Sequence, residues 1–372
     1  MVCLTALDKK RNPIPKILSP IRSFEAGIRV IKAGADQIYC GVTIPEIKNF
    51  VLYRGSAHEV PTYEELERIV KYAHSNSVEV VVTINQPHMT HLIEKPIQNH
   101  IRSCVDKGVD ALIVGDFGVL SVIKNMPVKV PLYASTYMAS LNCEAVDFLR
   151  KQGFNRVILE RNLTIPEISK IVQHSNIELE VFIHGGGCSN INSSCYLYHY
   201  SFPEKEHFAL LMKENICSPC TIHYEVYNLD KTGEKLESIP IMDALQYCSL
   251  CKLPELVKAG VTGFKIEGRG NPIEYQESTT RAYRELLDLL SQDRMEKFKE
   301  KLELYRRNLI AMPSTIWSLK EFLCEQKRCY YSPFLHTPYR FPLSWQASTK
   351  SKFKAWITKS MANKIRSSGQ TI

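Results

Sequence analysis

The sequence predicts an α/β fold: a closed (β/α)8 TIM-type barrel with a long cysteine-bearing insertion after its seventh strand and a C-terminal extension. Three observations predict it. Short β-rich runs alternate in order with amphipathic helical stretches, and the runs number eight. Each run is apolar on nearly consecutive positions, as a strand covered on both faces requires. Several helical stretches end on a glycine just before the next strand, where the residue after a helix favours a left-handed backbone.

The first strand is Lys16–Ser19 (KILS); a helix at Ser23–Ala33 then closes on AGADQIY into the second, Gln37–Gly41. A helix at Tyr63–Ser75 leads to the third, Glu79–Asn85, and one at Ile97–Lys107 passes through KGVDALI to the fourth, Ala111–Asp116. The fifth is Pro131–Thr136; a helix at Cys143–Gln152 and the turn QGFNRVI give the sixth, Arg156–Glu160. The seventh is Glu178–His184, and AGVTGFK opens the eighth, Gly263–Glu267. An open doubly wound sheet lacks support, because no G-x-G-x-x-G follows the first strand. The division that follows is a barrel over 1–300, with a cysteine-rich insertion at 186–250, and a helical or extended extension over 301–372.

With 372 residues, 44% of them apolar, the chain can bury one large core and carry a modest appendage. Met1–Pro15 has no apolar stretch of signal-peptide length, and no segment reaches the roughly 18 apolar residues of a membrane span. The expectation is a cytoplasmic protein without a transmembrane segment. In a reducing compartment, twelve cysteines point to metal binding or redox chemistry, and six of them fall between Cys188 and Cys251. The net charge of +8 is uneven: Lys350, Lys352, Lys354, Lys359, Lys364 and Arg366 supply six of it, leaving a nearly neutral body.

In such barrels chemistry sits at the carboxyl ends of the strands. Successive strand starts lie about 20 to 42 residues apart, except for a last interval of about 85. A long connection inside a compact domain is usually functional, and this one reads HGGGCSNINSSC (His184–Cys195), ICSPC (Ile216–Cys220) and YCSLCKLPEL (Tyr247–Leu256). The triple glycine before Cys188 lets the backbone fold tightly around a bulky inorganic group. Two metal readings compete. Cys217, Cys220, Cys248 and Cys251 have the C-x2-C…C-x2-C spacing of a zinc site. A [4Fe–4S] cluster also needs four thiolates and can draw on Cys188 and Cys195 with one cysteine from each pair.

The same stretch resembles the U32 peptidase family, which shows HG-x-x-C-x6-C, a further cysteine pair, a cysteine five residues before an LPELV-like helix, and KIEGR. This chain has HGGGC-x6-C, CSPC, Cys248 five residues before Leu253, LPELVKAGV and Lys265–Arg269 (KIEGR). Earlier matches are AGADQIYCG, GDFGVL, ASTYMASLNCEAVDFL and GFNRVILERNLTIPEI, and together they span roughly residues 16 to 285. The resemblance implies an oxygen-sensitive [4Fe–4S] cluster and hydroxylations that proceed without oxygen, on tRNA uridine, rRNA cytidine or ubiquinone precursors, with prephenate as hydroxyl source. By position it implies Cys188, Cys195, Cys217 and Cys248 as ligands. Two departures stand out. The family pair is usually C-x3-C, after Arg-Gly and before Arg, whereas here Asn215–Ile216 precede Cys217 and Thr221 follows Cys220; Cys251 is an additional cysteine.

The other candidates lie at strand ends. Glu160 and Arg161 suit a dicarboxylate such as prephenate. Glu267 and Arg269 are candidates for a catalytic role beside the cysteines, and His184 for proton transfer or for holding the glycine turn. Ser135, Thr136, Asp116 and Arg54 are substrate-binding candidates. A peptidase reading would pair Cys188 with His184, but neither H-E-x-x-H nor G-x-S-x-G is present. Phe353, Trp356, Ile357, Met361 and Ile365 fall on one face of a basic helix, which favours RNA, chiefly tRNA, as substrate; packing of that helix on the barrel is the plain alternative. The remaining readings are hydroxylation of a quinone precursor or other small aromatic, and a non-catalytic accessory subunit with a structural metal site, alone or in a homo- or hetero-oligomer.

Overall fold

The computed structural model describes residues 14–44, 46, 59–85, 91–188, 190–195, 246–310, 319–324 and 329–331, together with the backbone course of 223–228, 234–240 and 353–356. All eight expected strands form. They are β1 (Lys16–Pro20), β2 (Gln37–Cys40), β3 (Glu79–Ile84), β4 (Ala111–Val114), β5 (Leu132–Ala134), β6 (Arg156–Ile158), β7 (Glu178–Gly186) and, after three strands of the insertion, β11 (Gly263–Ile266). Neighbours pair in parallel from β1 through β7, β11 pairs with β7, and β1 pairs with β11, which closes the barrel. The fold is a TIM-type (β/α)8 barrel.

Buried hydrogen-bond demand explains why the strands are short and apolar. A closed parallel sheet pairs its own backbone groups, and the helix layer covers the outer face, so each position must tolerate burial. The first helices are α1 (Phe24–Lys32), α2 (Tyr63–Ser75), α3 (Glu94–Asp106) and α4 (Phe117–Lys124). They are followed by α5 (Cys143–Lys151), α6 (Ile165–His174), α7 (Leu253–Ala259), α8 (Ile273–Ser291) and α9 (Met295–Asn308). The glycines of the four helix-to-strand turns all have positive φ: Gly34 98°, Gly108 84°, Gly153 94° and Gly260 87°. Ser23, Thr62, Asp116, Asn142 and Thr164 cap helices with their side-chain oxygens.

The insertion departs from a plain loop. Strands β8 (His223–Asn228) and β9 (Glu234–Pro240) pair antiparallel, and β10 (Gln246–Cys248) returns to pair antiparallel with β7, setting Cys248 opposite His184. Phe353–Trp356, read from the sequence as the start of a basic amphipathic helix, forms strand β12 on β8 instead. An alternation compatible with both periods is settled by the partner strand. Met361 and Ile365 lie outside the described residues. So does Arg54. Among the described residues, no helix is long and apolar enough to cross a membrane.

Candidate functional site

A charged network fills the barrel interior below its mouth. Arg156 donates through Nη1 to Gln37 Oε1 at 2.6 Å and to Glu180 Oε2 at 3.0 Å, and through Nε to Glu178 at 2.8 Å. Its guanidinium lies 4.3 Å from the Tyr133 ring centre. From the neighbouring side, Lys265 Nζ lies 3.6 Å from Glu180 Oε1 and 4.0 Å from the ring centre of Tyr39. Burial lowers the Lys265 ammonium to about 8, with Glu180 opposing the shift. The sequence reading offered no role for Glu180 or Lys265, because single charges within apolar strands carry no periodic signal.

The ends of β6 and β11 build the next layer. Arg161 pairs with Glu267 at 2.7 Å, donates to the Gly186 carbonyl and stacks 4.2 Å from the Phe182 ring centre. Glu160 is buried, and its Oε1 accepts the backbone N–H of Asn192 at 2.9 Å while Oε2 has no hydrogen-bond partner. Burial raises this carboxyl to about 7, against the pull of Arg161. Thr136 Oγ1 accepts from Asn192 Nδ2 at 2.7 Å, and Asn162 Nδ2 donates to Asn190 O at 3.1 Å. Thr136, Glu160 and Asn162 therefore grip the loop between Cys188 and Cys195.

Arg269 occupies the other side of the mouth. Its Nη1 donates to Thr83 Oγ1 at 3.1 Å. Over Gly41 it meets Glu59: a Cβ built there would lie 2.6 Å from Arg269 Nη1 and 2.6 Å from Glu59 Oε1. Burial raises Glu59 to about 7, with Arg269 opposing. Sequence reasoning missed Glu59; the only signal was Gly41, the glycine just after β2, which keeps space for both side chains.

Ser135 and Asp116 have local partners. Ser135 Oγ accepts from Tyr137 N at 3.4 Å, and Asp116 Oδ1 accepts from Gly118 N at 2.7 Å and Val119 N at 3.1 Å, capping α4. His184 points outward at helix α8. Its Nε2 lies 2.9 Å from the Tyr275 hydroxyl and its Nδ1 3.2 Å from that of Tyr283, whose own proton goes to Ile183 O at 2.5 Å. That arrangement assigns the ring proton to Nδ1. Burial lowers His184 to about 3, which keeps it neutral. Both ring nitrogens are taken, so no Cys188–His184 dyad forms, and His184 acts in holding β7 to α8.

The thiols fall into two groups. Cys188 and Cys195 are half-buried at the mouth. Cys188 Sγ accepts from Asn190 N at 3.4 Å; burial raises its thiol, opposed by that bond and by Arg161, while Cys195 adds to the rise. Cys248 is buried with its sulfur 3.9 Å from the Tyr283 hydroxyl and accepting from Leu250 N at 3.5 Å. Cys251 is exposed. Cys217 and Cys220 lie outside the described residues. Among the described residues, no three Cys, His, Asp or Glu side chains surround a common metal position.

As a donor set, Cys188 and Cys195 fit a thiophilic metal group: they share a clamped loop beside a guanidinium, after a turn that only glycine permits. A Cβ on Gly187 would overlap the Tyr247 ring. Gly185 holds φ at 115°, and a Cβ there would meet that of Glu267 at 2.6 Å. Cys248, turned toward Tyr283, does not join them in this arrangement.

The closed parallel barrel carries a clamped pair of thiols and a buried arginine–carboxylate pair at its carboxyl face, the end at which barrels of this type place their binding sites. Residues 22–328 match Peptidase family U32, and the chain belongs to that family. It is 28% identical over 280 residues to a 23S rRNA 5-hydroxycytidine synthase of Escherichia coli, covering 75% of this chain and 40% of that protein. An uncharacterized protease of Methanocaldococcus jannaschii is 28% identical over 310 residues, covering 79% of this chain and 71% of that one. The tRNA hydroxylation protein P1 of Bacillus subtilis is 25% identical over 287 residues, covering 75% and 64% respectively. The chain thus spans less than half of the E. coli relative and under two thirds of the B. subtilis one.

Proposed function

We propose that this protein supports hydroxylation of an RNA base, with tRNA as the first candidate, through an iron–sulfur centre at the barrel mouth. The observation that carries the reading is the clamped loop, where Glu160, Thr136 and Asn162 present Cys188 and Cys195 beside the Arg161–Glu267 pair. Relatives named for rRNA and tRNA hydroxylation support the substrate class. Cys188 and Cys195 would hold a [4Fe–4S] group together with further thiolates of the insertion, Cys248 reaching it only by turning away from Tyr283; bound there, the group would supply one-electron chemistry.

The chain's own residues do the rest. Glu160, held protonated to about neutral pH by burial, keeps one enclosed carboxyl oxygen without a hydrogen-bond partner. Arg269, with Thr83 and Glu59, presents a guanidinium at the opposite wall, suited to the carboxylate of a hydroxyl donor such as prephenate. Closure of the mouth by substrate would exclude water from both groups and strengthen each contact.

The test is anaerobic purification of the full chain. Brown protein absorbing broadly near about 400 nm, with about four irons per chain, is expected, and Cys188→Ser or Cys195→Ser should lose most of the iron. Colourless protein holding one zinc sinks the iron–sulfur reading. Nucleoside mass spectrometry of RNA from a deletion strain should lack one hydroxylated base; an unchanged profile sinks the RNA reading and leaves a small aromatic substrate. The peptidase reading, favoured by the relative named as a protease, lacks the dyad it needs from Cys188 and His184.

A further inference from the structure

We infer that Tyr330 is a positioning residue for the Cys188 thiol: its phenol holds the Gly186 carbonyl and so fixes the glycine turn that carries that thiol to the barrel mouth. The inference rests on the reading of Cys188 as a metal ligand and adds a distant part of the chain to that site. The residues that match the U32 family end at 328, and Tyr330 lies just beyond them.

The turn is loose by composition. Gly185, Gly186 and Gly187 separate His184 from Cys188, and glycine loses more backbone freedom on folding than any other residue. Gly185 holds φ at 115°, and Gly187 lies so close to the Tyr247 ring that a Cβ there would overlap it. A stretch without side chains must be held through its backbone groups.

The Gly186 carbonyl is held from two sides. Arg161, just after β6, donates to it through Nη1. Tyr330 donates its hydroxyl to the same oxygen at 2.7 Å, which the two lone pairs of a carbonyl allow. The Tyr330 hydroxyl also lies 3.4 Å from the Gly185 carbonyl.

A short strap, residues 329–331, brings Tyr330 there. Cys329 forms an isolated parallel bridge with Cys248 at the end of β10, and Tyr330 N donates to Cys248 O at 3.0 Å. The Tyr330 ring lies 5.5 Å from that of Tyr247, the ring packed on Gly187, and 5.9 Å from that of Tyr331. Tyr331 has a φ of 64°, a left-handed backbone that residues with a side chain seldom adopt. Its hydroxyl donates to the carbonyl of Phe182, on whose ring Arg161 stacks. Tyr331 therefore holds the residue beneath the guanidinium, and Tyr330 holds the carbonyl that the guanidinium shares. Both tyrosines are buried, where water does not compete for these bonds.

Plain packing of the strap needs only the rings, whereas positioning needs the Tyr330 hydroxyl. Tyr330→Phe separates the two, since it keeps the ring beside Tyr247 and removes the donor.

The full chain, reduced and stripped of metal by a chelator under argon, is compared as wild type and Tyr330→Phe by amide exchange and by timed alkylation with iodoacetamide, both read by peptide mass spectrometry. The peptide spanning residues 184–188 should exchange about fivefold faster in the variant, the change that loss of one buried hydrogen bond brings, and Cys188 should alkylate faster by a similar factor. Cys143, on α5, should keep its rate, as should the amides of β3 and β4. Replacing Tyr330 by 4-aminophenylalanine, which keeps a donor on the ring, should restore both values. An unchanged turn, a rate raised equally across the barrel, a Tyr330→Phe chain that does not fold, or no recovery with the amino group would overturn the proposal. No iron enters these readouts, so a protein that binds zinc would sink the iron–sulfur reading and leave the positioning of Cys188 to be judged by itself.

Discussion

The Arg161 guanidinium lies 2.7 Å from the Glu267 carboxylate, joining the ends of β6 and β11 across the strand between them, with side chains only 10% and 12% exposed. Phe182 of that middle strand supplies the aromatic face beneath the guanidinium. The pair is held by geometry on three strands at once. Removing one member leaves the other charged and nearly dry, which costs more than the pair contributes.

Arg161→Met should therefore lower unfolding stability by about 3 to 5 kcal/mol, because Glu267 loses its guanidinium and the Gly186 carbonyl one of its two donors. The double variant Arg161→Met with Glu267→Gln should recover part of that loss. Urea denaturation of the four proteins checks it; simple additivity would mean that the two side chains do not act as a pair.

Gly41→Ala tests the far wall. The new methyl would sit 2.6 Å from both Arg269 and Glu59, and flexible side chains can yield where backbone cannot. The expected result is a folded protein, destabilised by about 1 to 3 kcal/mol, with Arg269 displaced from Thr83 and the proposed hydroxylation in cells reduced. Full activity would show that Arg269 does not work from this position.

Acid should reveal His184. Its folded value of about 3, against an ordinary 6.5, means that the folded state refuses a proton the unfolded chain accepts. Stability is complete above 6.5 and falls toward 3, by about 1.4 kcal/mol per pH unit for each such group. His100, lowered to about 4 by burial, shares most of that window. Urea midpoints at pH 7 and pH 5 should differ less in His184→Gln than in the wild type. Equal slopes would contradict the buried, neutral assignment.

Alkali should reveal Glu160. A carboxyl raised from 4.5 to about 7 stabilises the fold below its unfolded value, and that contribution is lost as pH rises through 7. Glu160→Gln keeps an acceptor for Asn192 N without the buried charge. At pH 8 it should be more stable than the wild type, by on the order of 2 kcal/mol, as read from thermal or urea unfolding; a loss of stability would mean that the ionised form is needed by the Cys188–Cys195 loop.

The barrel was legible because burial on both faces leaves a local mark: consecutive apolar residues, then a glycine with positive φ at each of four turns. The thiols of the insertion were legible from spacing alone. Phe353–Trp356 was misread because four residues fit either period, and pairing with β8 decided between them. His184 looked catalytic from its place at a strand end, and only the outward turn toward Tyr275 and Tyr283 showed what it holds.

By itself the chain determined its eight-strand parallel architecture and its concentration of cysteines, since both follow from short-range patterns. The tertiary structure alone decided partnership: Arg161 with Glu267, Glu59 with Arg269, and Glu160 with the Asn192 amide. Those pairs join residues far apart in sequence, and their energies depend on burial and distance, which exist only once the strands have closed.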